Sequence, residues 1–357
     1  MKDPVVLLGP LPPPFGGVSV YMSLLLDHLG GAGVPVWAYF GEPFEGDPAV
    51  RRFRHRRLGL VRLALAEGRG ARVLDATHFH LEHPNPLLLP AWLLCKLALR
   101  FRWYKNILDG SLPARWREFG AGRRALFGLA VRGADEFVVV SEDLRRWLVE
   151  EVGVRQPVSV VPCLLPVPPE RLDAPLPAGL AESLRPYLAR PRRVAAVGVF
   201  IHDYGFLDAA RAVERLRAET GEDLGLVLLD GTFARDEAYR EEVLRGREWV
   251  TVVENVPNPD VYKVLRRSDA FVRAFGRESY GISRVEALWC GLPVVATTAG
   301  ETRGMLTYEF GDVGTLTRQL RRALYEPEAC DVARWAAQYR REAEDNLGRL
   351  REVLGLR

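Results

Sequence analysis

Short apolar runs alternate with longer amphipathic runs along the chain, and this alternation constrains the fold more than any other feature. In the first half the predicted strands are Val5–Leu8, Val34–Phe40, Val73–Phe79, Asn106–Leu108, Phe137–Val140 and Val158–Val161. In the second half they are Val194–Phe200, Leu226–Leu229, Trp249–Val253, Ala270–Phe275 and Val294–Thr297. Strands that alternate with helices predict parallel sheets with crossover helices. We therefore expect an α/β protein with two Rossmann-like, doubly wound domains.

The length of 357 residues allows two domains with separate cores. A proline-rich stretch with little periodicity predicts an interdomain linker at residues 169–191. The N-terminal domain would then cover residues 1–168 and the C-terminal domain residues 192–325. We interpret residues 326–357 as a charged, amphipathic tail of one or two helices that packs on the outside.

Composition excludes several classes of protein. The formal charge of +3 is too small to predict a nucleic-acid partner, and no basic run is interleaved with stacking aromatics. The four cysteines form no CxxC pair, which argues against a disulfide framework and a zinc site. No secretory signal is visible, and the most hydrophobic stretch, Pro86–Leu99, is too short to span a bilayer. We expect a cytoplasmic protein, with room for peripheral contact at the inner face of the membrane.

The most informative motif runs from Glu278 to Glu286 and reads E-S-Y-G-I-S-R-V-E, followed by A-L-W-C-G-L-P-V-V-A-T. A turn at Gly281 would open a short helix, and a later glycine would end it before a buried strand. The amides of Gly281, Ile282 and Ser283 would then face outward, where the helix dipole favours a negatively charged diphosphate. Glu286, about one turn further on, can accept two hydrogen bonds from a ribose. Glu278, before the turn, would face a sugar on the distal phosphate.

This motif resembles the donor-site signature of the retaining, nucleotide-sugar-dependent glycosyltransferases with the GT-B fold. These are the Glu-x7-Glu, family 4-like group 1 enzymes, among them bacterial capsule and polysaccharide glycosyltransferases. The resemblance implies two domains facing a central cleft, the first on the acceptor side and the second binding the nucleotide-sugar donor. It also implies a C-terminal tail that crosses back to the first domain. The alternative is an amphipathic core helix with solvated carboxylates.

The resemblance implies retaining transfer of a hexose from a nucleotide diphosphate sugar to a hydroxyl. The acceptor would be a glycan, a lipid-linked molecule or a small molecule. No cofactor and no catalytic metal are expected, since the nucleotide sugar is itself the donor substrate. The catalytic residues would be Glu278 at the sugar hydroxyls, Arg273 at the diphosphate, and Asp109, which completes the site. Glu286 would hold the ribose.

The chain departs from many relatives where they carry an arginine and a lysine that neutralise the donor diphosphate. It has Val199 and Tyr204 at those positions. A departing diphosphate needs cations or amides aimed at it. The run Val272–Phe275 with the later Arg303-Gly304 resembles a subgroup of capsule- and glycan-building relatives, which implies Arg273 as the leading substitute and Arg303 as the second. Two further arginines flank the glycine turn, Arg277 and Arg284. The alternative for each arginine is a surface ion pair.

Two features of the first domain complete the predicted site. The pair Gly16-Gly17 follows the first strand, where relatives have a Gly-Gly pair facing the donor diphosphate and the acceptor. The alternative is that these glycines only permit a tight turn. Asp109 lies where many relatives place a histidine near the C6 hydroxyl of the sugar, and its carboxylate can accept a hydrogen bond from that hydroxyl.

Histidines and basic clusters in the first domain leave alternatives open. His78 and His80, with His83 just beyond, have no obvious carboxylate or cysteine partners, so a polar lining or buried histidines are favoured over a metal site. The clusters Arg51–Arg57 and Arg100–Lys105 would attract anionic lipid head groups or a pyrophosphate-bearing acceptor, or form solvated loops.

Two rival functions remain at the level of the sequence, and a third is disfavoured. The missing arginine and lysine are compatible with a GT-B protein that binds nucleotide as a partner subunit but no longer transfers. A GT-B nucleotide-sugar epimerase would convert its substrate without an acceptor. A Rossmann oxidoreductase is disfavoured because the G-x-G-x-x-G fingerprint is missing after the first strand.

Overall fold

A computed structural model describes residues 5–12, 15–29, 36–38, 50–52, 64–66, 68–78, 80–168, 175–232 and 234–356. The chain divides into two compact units. The first unit comprises Met1–Pro13, Gly17–Leu165 and Asp345–Arg357, and the second comprises Pro14–Gly16 and Pro166–Glu344. Each unit contains one parallel sheet.

The first unit contains a seven-stranded parallel sheet. Its strands are β1 (Val5–Gly9), β2 (Val36–Ala38), β3 (Val50–Arg52), β4 (Arg72–Asp75), β5 (Arg102–Ile107), β6 (Glu136–Val139) and β7 (Val158–Val160). Its helices are α1 (Gly17–Leu29), α2 (Leu88–Leu99), α3 (Leu112–Arg117), α4 (Ala121–Gly133) and α5 (Glu142–Arg146), which a π-helical turn at Trp147–Glu151 extends. The strand order is β3-β2-β1-β4-β5-β6-β7. The order therefore reverses between β1 and β4, and in such sheets ligands bind outside the carboxyl ends of the strands at this point.

The second unit contains a six-stranded parallel sheet. Its strands are β8 (Arg192–Gly198), β9 (Leu224–Asp230), β10 (Val250–Glu254), β11 (Ala270–Arg273), β12 (Val294–Thr297) and β13 (Leu306–Tyr308). Its helices are α6 (Ala178–Ser183), α7 (Arg185–Leu188), α8 (Phe206–Thr220), α9 (Glu237–Leu244), α10 (Asn258–Leu265), α11 (Ile282–Trp289), α12 (Val313–Tyr325) and the first part of α13 (Val332–Val353). The strand order is β10-β9-β8-β11-β12-β13. The order reverses between β8 and β11, so the loops that follow these two strands are the expected ligand-binding edge.

The core of the second unit explains why its strands are almost continuously apolar. All seven residues of β9 are buried, as expected for a parallel sheet that is covered on both faces. Val213 and Leu216 of α8 share one hydrophobic cluster with Leu316 and Leu320 of α12. This packing fixes the sheet, and with it the loops at the carboxyl ends of its strands.

The prediction of two parallel α/β sheets is confirmed, but two edge strands were missed. These are β3, which reads Val-Arg-Arg, and β13, which reads Leu-Thr-Tyr. Each has three residues, too few to show a periodicity. Arg51 and Arg52 of the first basic cluster lie in β3, whereas residues 53–57 lie outside the described residues.

The segment predicted as a linker contains regular structure. Within residues 175–191 lie the short helices α6 and α7. Tyr187 of α7 is buried, and its hydroxyl shares a 2.6 Å hydrogen bond with Ser268 Oγ. This part of the predicted linker is therefore packed into the second unit.

The C-terminal tail forms one long helix, α13, that belongs to both units. Its residues to Glu344 lie in the second unit, and those from Asp345 lie in the first. In the first unit, the buried Asn346 Nδ2 donates a 3.1 Å hydrogen bond to the carbonyl of Leu164.

The most hydrophobic stretch of the sequence forms α2, which packs on the first unit. Trp92 is buried, and Lys96 Nζ donates hydrogen bonds to the carbonyl of Gly133 and to Asp135. Across the described parts of the chain, no helix is long and apolar enough to cross a membrane.

Candidate functional site

The glycine turn between β11 and α11 has the geometry that the motif predicts. Gly281 has a φ of +88° and caps α11, which runs from Ile282 to Trp289. An added Cβ on Gly281 would lie 2.8 Å from Arg284 Cδ, so both the backbone and the packing require glycine. The amides of the first helical turn, which include Ile282 and Ser283, have no acceptor inside the helix. This turn can therefore bind an anion.

Glu286 lies one turn into α11 and is almost completely buried. Its Oε1 accepts a 2.6 Å hydrogen bond from the Tyr262 hydroxyl and a 3.2 Å hydrogen bond from Asn258 Nδ2. Burial raises the pKa of Glu286 above its usual value, although these two hydrogen bonds oppose the rise. Both donors come from α10, and nothing in the sequence pattern pointed to them.

Glu278 is held by Arg273, the residue predicted as the leading diphosphate ligand. Arg273 Nε donates a 2.7 Å hydrogen bond to Glu278 Oε2, and its Nη1 donates to the carbonyl of Val197 at 2.6 Å. The guanidinium carbon of Arg273 lies 5.0 Å from the ring centre of Tyr204 and 5.2 Å from that of Phe275. Burial alone would lower the pKa of Arg273, but the charge of Glu278 reverses this and leaves it raised. Tyr204, which replaces the lysine of many relatives, thus provides an aromatic face for this arginine.

Arg284 is the second buried arginine beside the turn. Its Nη1 donates hydrogen bonds to the carbonyls of Ala299 and Glu301, and its Nη2 donates to Thr297 Oγ1 at 2.9 Å. Burial lowers the pKa of Arg284 to about 10. Arg284 therefore joins the loop after β12 to the start of α11.

Arg303 and Arg277 are bound to carboxylates at the surface. Arg303 forms hydrogen bonds with both Glu301 and Glu342, and its guanidinium lies over the ring of Tyr339. Arg277 is mostly exposed and forms a 3.0 Å ion pair with Asp203. The geometry favours a structural role for Arg303, in which it ties α13 to the loop after β12.

In the first unit, Asp109 follows β5 and its carboxylate is already engaged. Its Oδ1 accepts a 2.8 Å hydrogen bond from the amide of Ser111, and its Oδ2 accepts one from Arg115 Nη2. The glycine pair is divided, with Gly16 in the second unit and Gly17 at the first position of α1 in the first. Apart from its chain neighbours and the backbone of its own helix, no atom of the described residues lies within 4 Å of an added Cβ on Gly17, so packing against those residues does not require glycine there.

The histidines after β4 lie beside a buried ion pair that the sequence did not reveal. His80 is fully buried, stacks on Trp92 with ring centres 5.4 Å apart, and has its pKa lowered to about 4 by burial. Asp75 and Lys105 are also buried and lie 3.5 Å apart. In the parts of the chain that the structure describes, no group of three or more histidines, cysteines or carboxylates is arranged to hold a metal ion.

Comparison with known proteins agrees with this fold and this turn. Residues 188–331, which contain the whole β11–α11 motif, match the model of the family described as glycosyl transferases group 1. No curated protein matches the sequence at a significant level. The resemblance to group 1 glycosyltransferases is thus confirmed for the segment that carries the predicted donor site. Its narrower form, a likeness to family 4-like and capsule enzymes, stays a prediction.

Solved structures with a similar fold cover nearly the whole chain. A glycosyltransferase from Rickettsia africae superposes with a TM-score of 0.70 at 14% identity, covering 99% of this chain and 98% of its own. Anabaena HepE in complex with UDP-glucose has a TM-score of 0.70 at 16% identity, covering 98% and 99%. Sucrose-phosphate synthase from Thermosynechococcus elongatus has a TM-score of 0.65 at 17% identity, covering 99% and 96%. The chain has the GT-B fold, as predicted.

Proposed function

We propose that the chain is a retaining glycosyltransferase that moves a hexose from a nucleotide diphosphate sugar to a hydroxyl group. The acceptor is a glycan, a lipid-linked molecule or a small molecule. One observation carries the proposal: a buried carboxylate, Glu286, lies one turn after the open amides of Gly281, Ile282 and Ser283. A ribose and a diphosphate joined to each other match this spacing of acceptor and donors.

Each group has a distinct role in this proposal. The free oxygen of Glu286 accepts hydrogen bonds from the ribose, because Tyr262 and Asn258 occupy the other oxygen. The amides of the α11 N-terminus bind the diphosphate. Glu278, oriented by Arg273, accepts hydrogen bonds from the hydroxyls of the transferred sugar.

The anomeric configuration is retained because the acceptor attacks the anomeric carbon on the same face from which the diphosphate departs. The acceptor oxygen forms a bond to the anomeric carbon as the bond from that carbon to the phosphate oxygen breaks. The proton of the acceptor hydroxyl passes to the departing phosphate oxygen. The protein therefore supplies orientation and stabilisation of charge rather than a base.

The comparisons suggest which donor to try first. HepE was solved in complex with UDP-glucose, with UDP, and with UDP and glucose. These ligands belong to that protein, and they make UDP-glucose the first donor for this chain. No metal is needed in the proposed mechanism, so a chelator should leave turnover unchanged.

The first test is calorimetric binding of UDP, GDP and ADP to the wild type and to Glu286→Ala. We expect one nucleotide to bind, with affinity at least tenfold weaker in the variant, or about 1.4 kcal/mol. Glu241→Ala, an exposed carboxylate on α9, is the matched control and should bind as the wild type does. If none of the three nucleotides binds the wild type, the donor site is wrong as proposed.

Product analysis then separates transfer from its rivals. Release of free nucleoside diphosphate, with an α-linked product from an α-linked donor, supports retaining transfer. A changed sugar that remains attached to the nucleotide indicates an epimerase. Tight nucleotide binding without turnover over a broad panel of acceptors indicates a non-transferring partner protein.

A further inference from the structure

Arg284 carries a buried positive charge that no carboxylate in the described part of the chain neutralises through a hydrogen bond. Its side chain has no measurable exposure to solvent. Among the described residues, the acceptors of its hydrogen bonds are two carbonyls, those of Ala299 and Glu301, and the hydroxyl of Thr297. A buried charge that is hydrogen-bonded but not paired destabilises the ligand-free protein. A ligand that brings a negative charge close to Arg284 would remove this penalty.

The arginine lies directly behind the glycine turn. A Cβ added to Gly281 would be 2.8 Å from Arg284 Cδ and 3.0 Å from its Nε. That Nε is buried and has no hydrogen-bond partner among the described residues. The positive charge therefore adds to the positive end of the α11 dipole at the turn that has open amides.

The other arginines beside the turn are already paired. Arg273 is buried against Glu278, Arg277 pairs with Asp203 at the surface, and Arg303 is bound to Glu301 and Glu342. Of the four arginines that the sequence offers as substitutes for the missing cations, Arg284 is the one with no hydrogen bond or ion pair to a carboxylate among the described residues, although the charges of Glu278 and Glu301 act on it through space.

We propose that Arg284 is the cation that compensates the charge of the donor diphosphate, acting from behind the Gly281 turn as a positioning residue. This inference rests on the proposed function, because it assumes that a nucleoside diphosphate binds at the turn. It explains how the site can work with Val199 and Tyr204 in place of the arginine and lysine of many relatives. The guanidinium stabilises the diphosphate through its charge across the turn, while the amides of Ile282 and Ser283 make the direct contacts.

The test compares ligands that differ only in phosphate. Calorimetry with the nucleoside diphosphate that binds best, its monophosphate and its nucleoside is carried out on the wild type, Arg284→Gln and Arg284→Lys. We expect Arg284→Gln to bind the diphosphate at least tenfold more weakly, with nucleoside affinity changed less than twofold. Arg284→Lys, which keeps the charge, should recover most of the diphosphate affinity.

A purely structural role would give a different result. If Arg284 only holds the loop after β12, both variants would weaken all three ligands by the same factor, and the proposal would be overturned. Arg247→Gln is the control, because Arg247 is nearly buried and also donates to two carbonyls, those of Glu242 and Val243, but its charge is paired with Glu214. It should leave the preference for diphosphate unchanged.

A measurement on the wild type keeps the inference testable if Arg284→Gln does not fold. A buried cation is screened little by salt, whereas exposed arginines are screened strongly. The Debye length is about 14 Å in 50 mM NaCl and about 4 Å in 500 mM NaCl. Between these two concentrations, the ratio of diphosphate to monophosphate affinity should therefore fall less than twofold. A fall of fivefold or more would assign the charge to exposed arginines. If the wild type binds none of the ligands, it is the proposed function that fails.

Discussion

Arg273 and Glu278 form a nearly buried ion pair, with Nε and Oε2 2.7 Å apart and side chains only 10% and 9% exposed. The two residues were predicted to touch different parts of the donor, one the diphosphate and the other the sugar. Their pairing means that neither can change its contacts without affecting the other. A sugar hydroxyl that reaches Glu278 meets a carboxylate whose position is set by the arginine.

This ion pair should couple strongly in a double-mutant cycle. Arg273→Met and Glu278→Gln should each lower the free energy of unfolding by about 3 kcal/mol, because each leaves a buried group without its partner. The double variant should lose at least about 1 kcal/mol less unfolding free energy than the sum of the losses in the two single variants. Urea denaturation of the four proteins measures the coupling, and additive losses would show that the pair is not formed in solution.

Tyr262 should matter for ribose recognition although it need not touch the ribose. Tyr262→Phe removes the hydroxyl that orients Glu286. We expect nucleotide affinity to fall about fivefold, which corresponds to the free energy of roughly one hydrogen bond, about 1 kcal/mol. Calorimetry with UDP and its 2′-deoxy analogue gives the specific readout. The preference of the wild type for the ribose form should shrink in Tyr262→Phe. An unchanged preference would argue against the positioning role.

Arg303→Gln should affect stability but not donor binding. The guanidinium is 45% exposed and bridges two carboxylates, so its loss should cost at most about 1 kcal/mol of unfolding free energy. Nucleotide affinity should change less than twofold. A tenfold loss of affinity with normal stability would instead support the direct diphosphate contact that the sequence suggested for this arginine.

Acid should destabilise the first unit through His80. The pKa of His80 is about 4 in the folded protein, because burial disfavours the charged ring, and it has its ordinary value of 6.5 in the unfolded chain. The unfolded chain therefore binds more protons between these values. The contribution of neutral His80 to the free energy of unfolding is fully present above pH 6.5. This free energy falls by about 3 kcal/mol as the pH decreases towards 4.

Urea denaturation at pH 7 and pH 4.5 tests this, with His80→Phe as the control. Phenylalanine can keep the stacking on Trp92 but cannot titrate. The variant should lose clearly less stability than the wild type over the same interval. Equal losses in both proteins would assign the acid sensitivity to other groups.

The sequence was enough to predict the parallel sheets and the glycine turn because both depend on local patterns. Apolar runs spaced by amphipathic ones define the strands, and Gly281 marks the only kind of residue that accepts its φ of +88° with ease. The strands β3 and β13 were not predicted, because a run of three residues shows no periodicity. Both are defined by their hydrogen bonds to a neighbouring strand.

The partners of the site residues were decided by the tertiary structure. Tyr262 reaches Glu286 across 24 positions of sequence, and Arg284 reaches the carbonyl of Glu301 across 17. The chain itself determined which residues carry charge near the turn and that a helix begins there. Only the packing of α10, β11 and β12 against α11 decided which charges are paired, because burial and distance are set between elements that the sequence keeps apart. For that reason Arg284, which looks like any other arginine in the sequence, becomes in the fold a buried cation whose hydrogen bonds to described residues go to carbonyls and a hydroxyl rather than to a carboxylate.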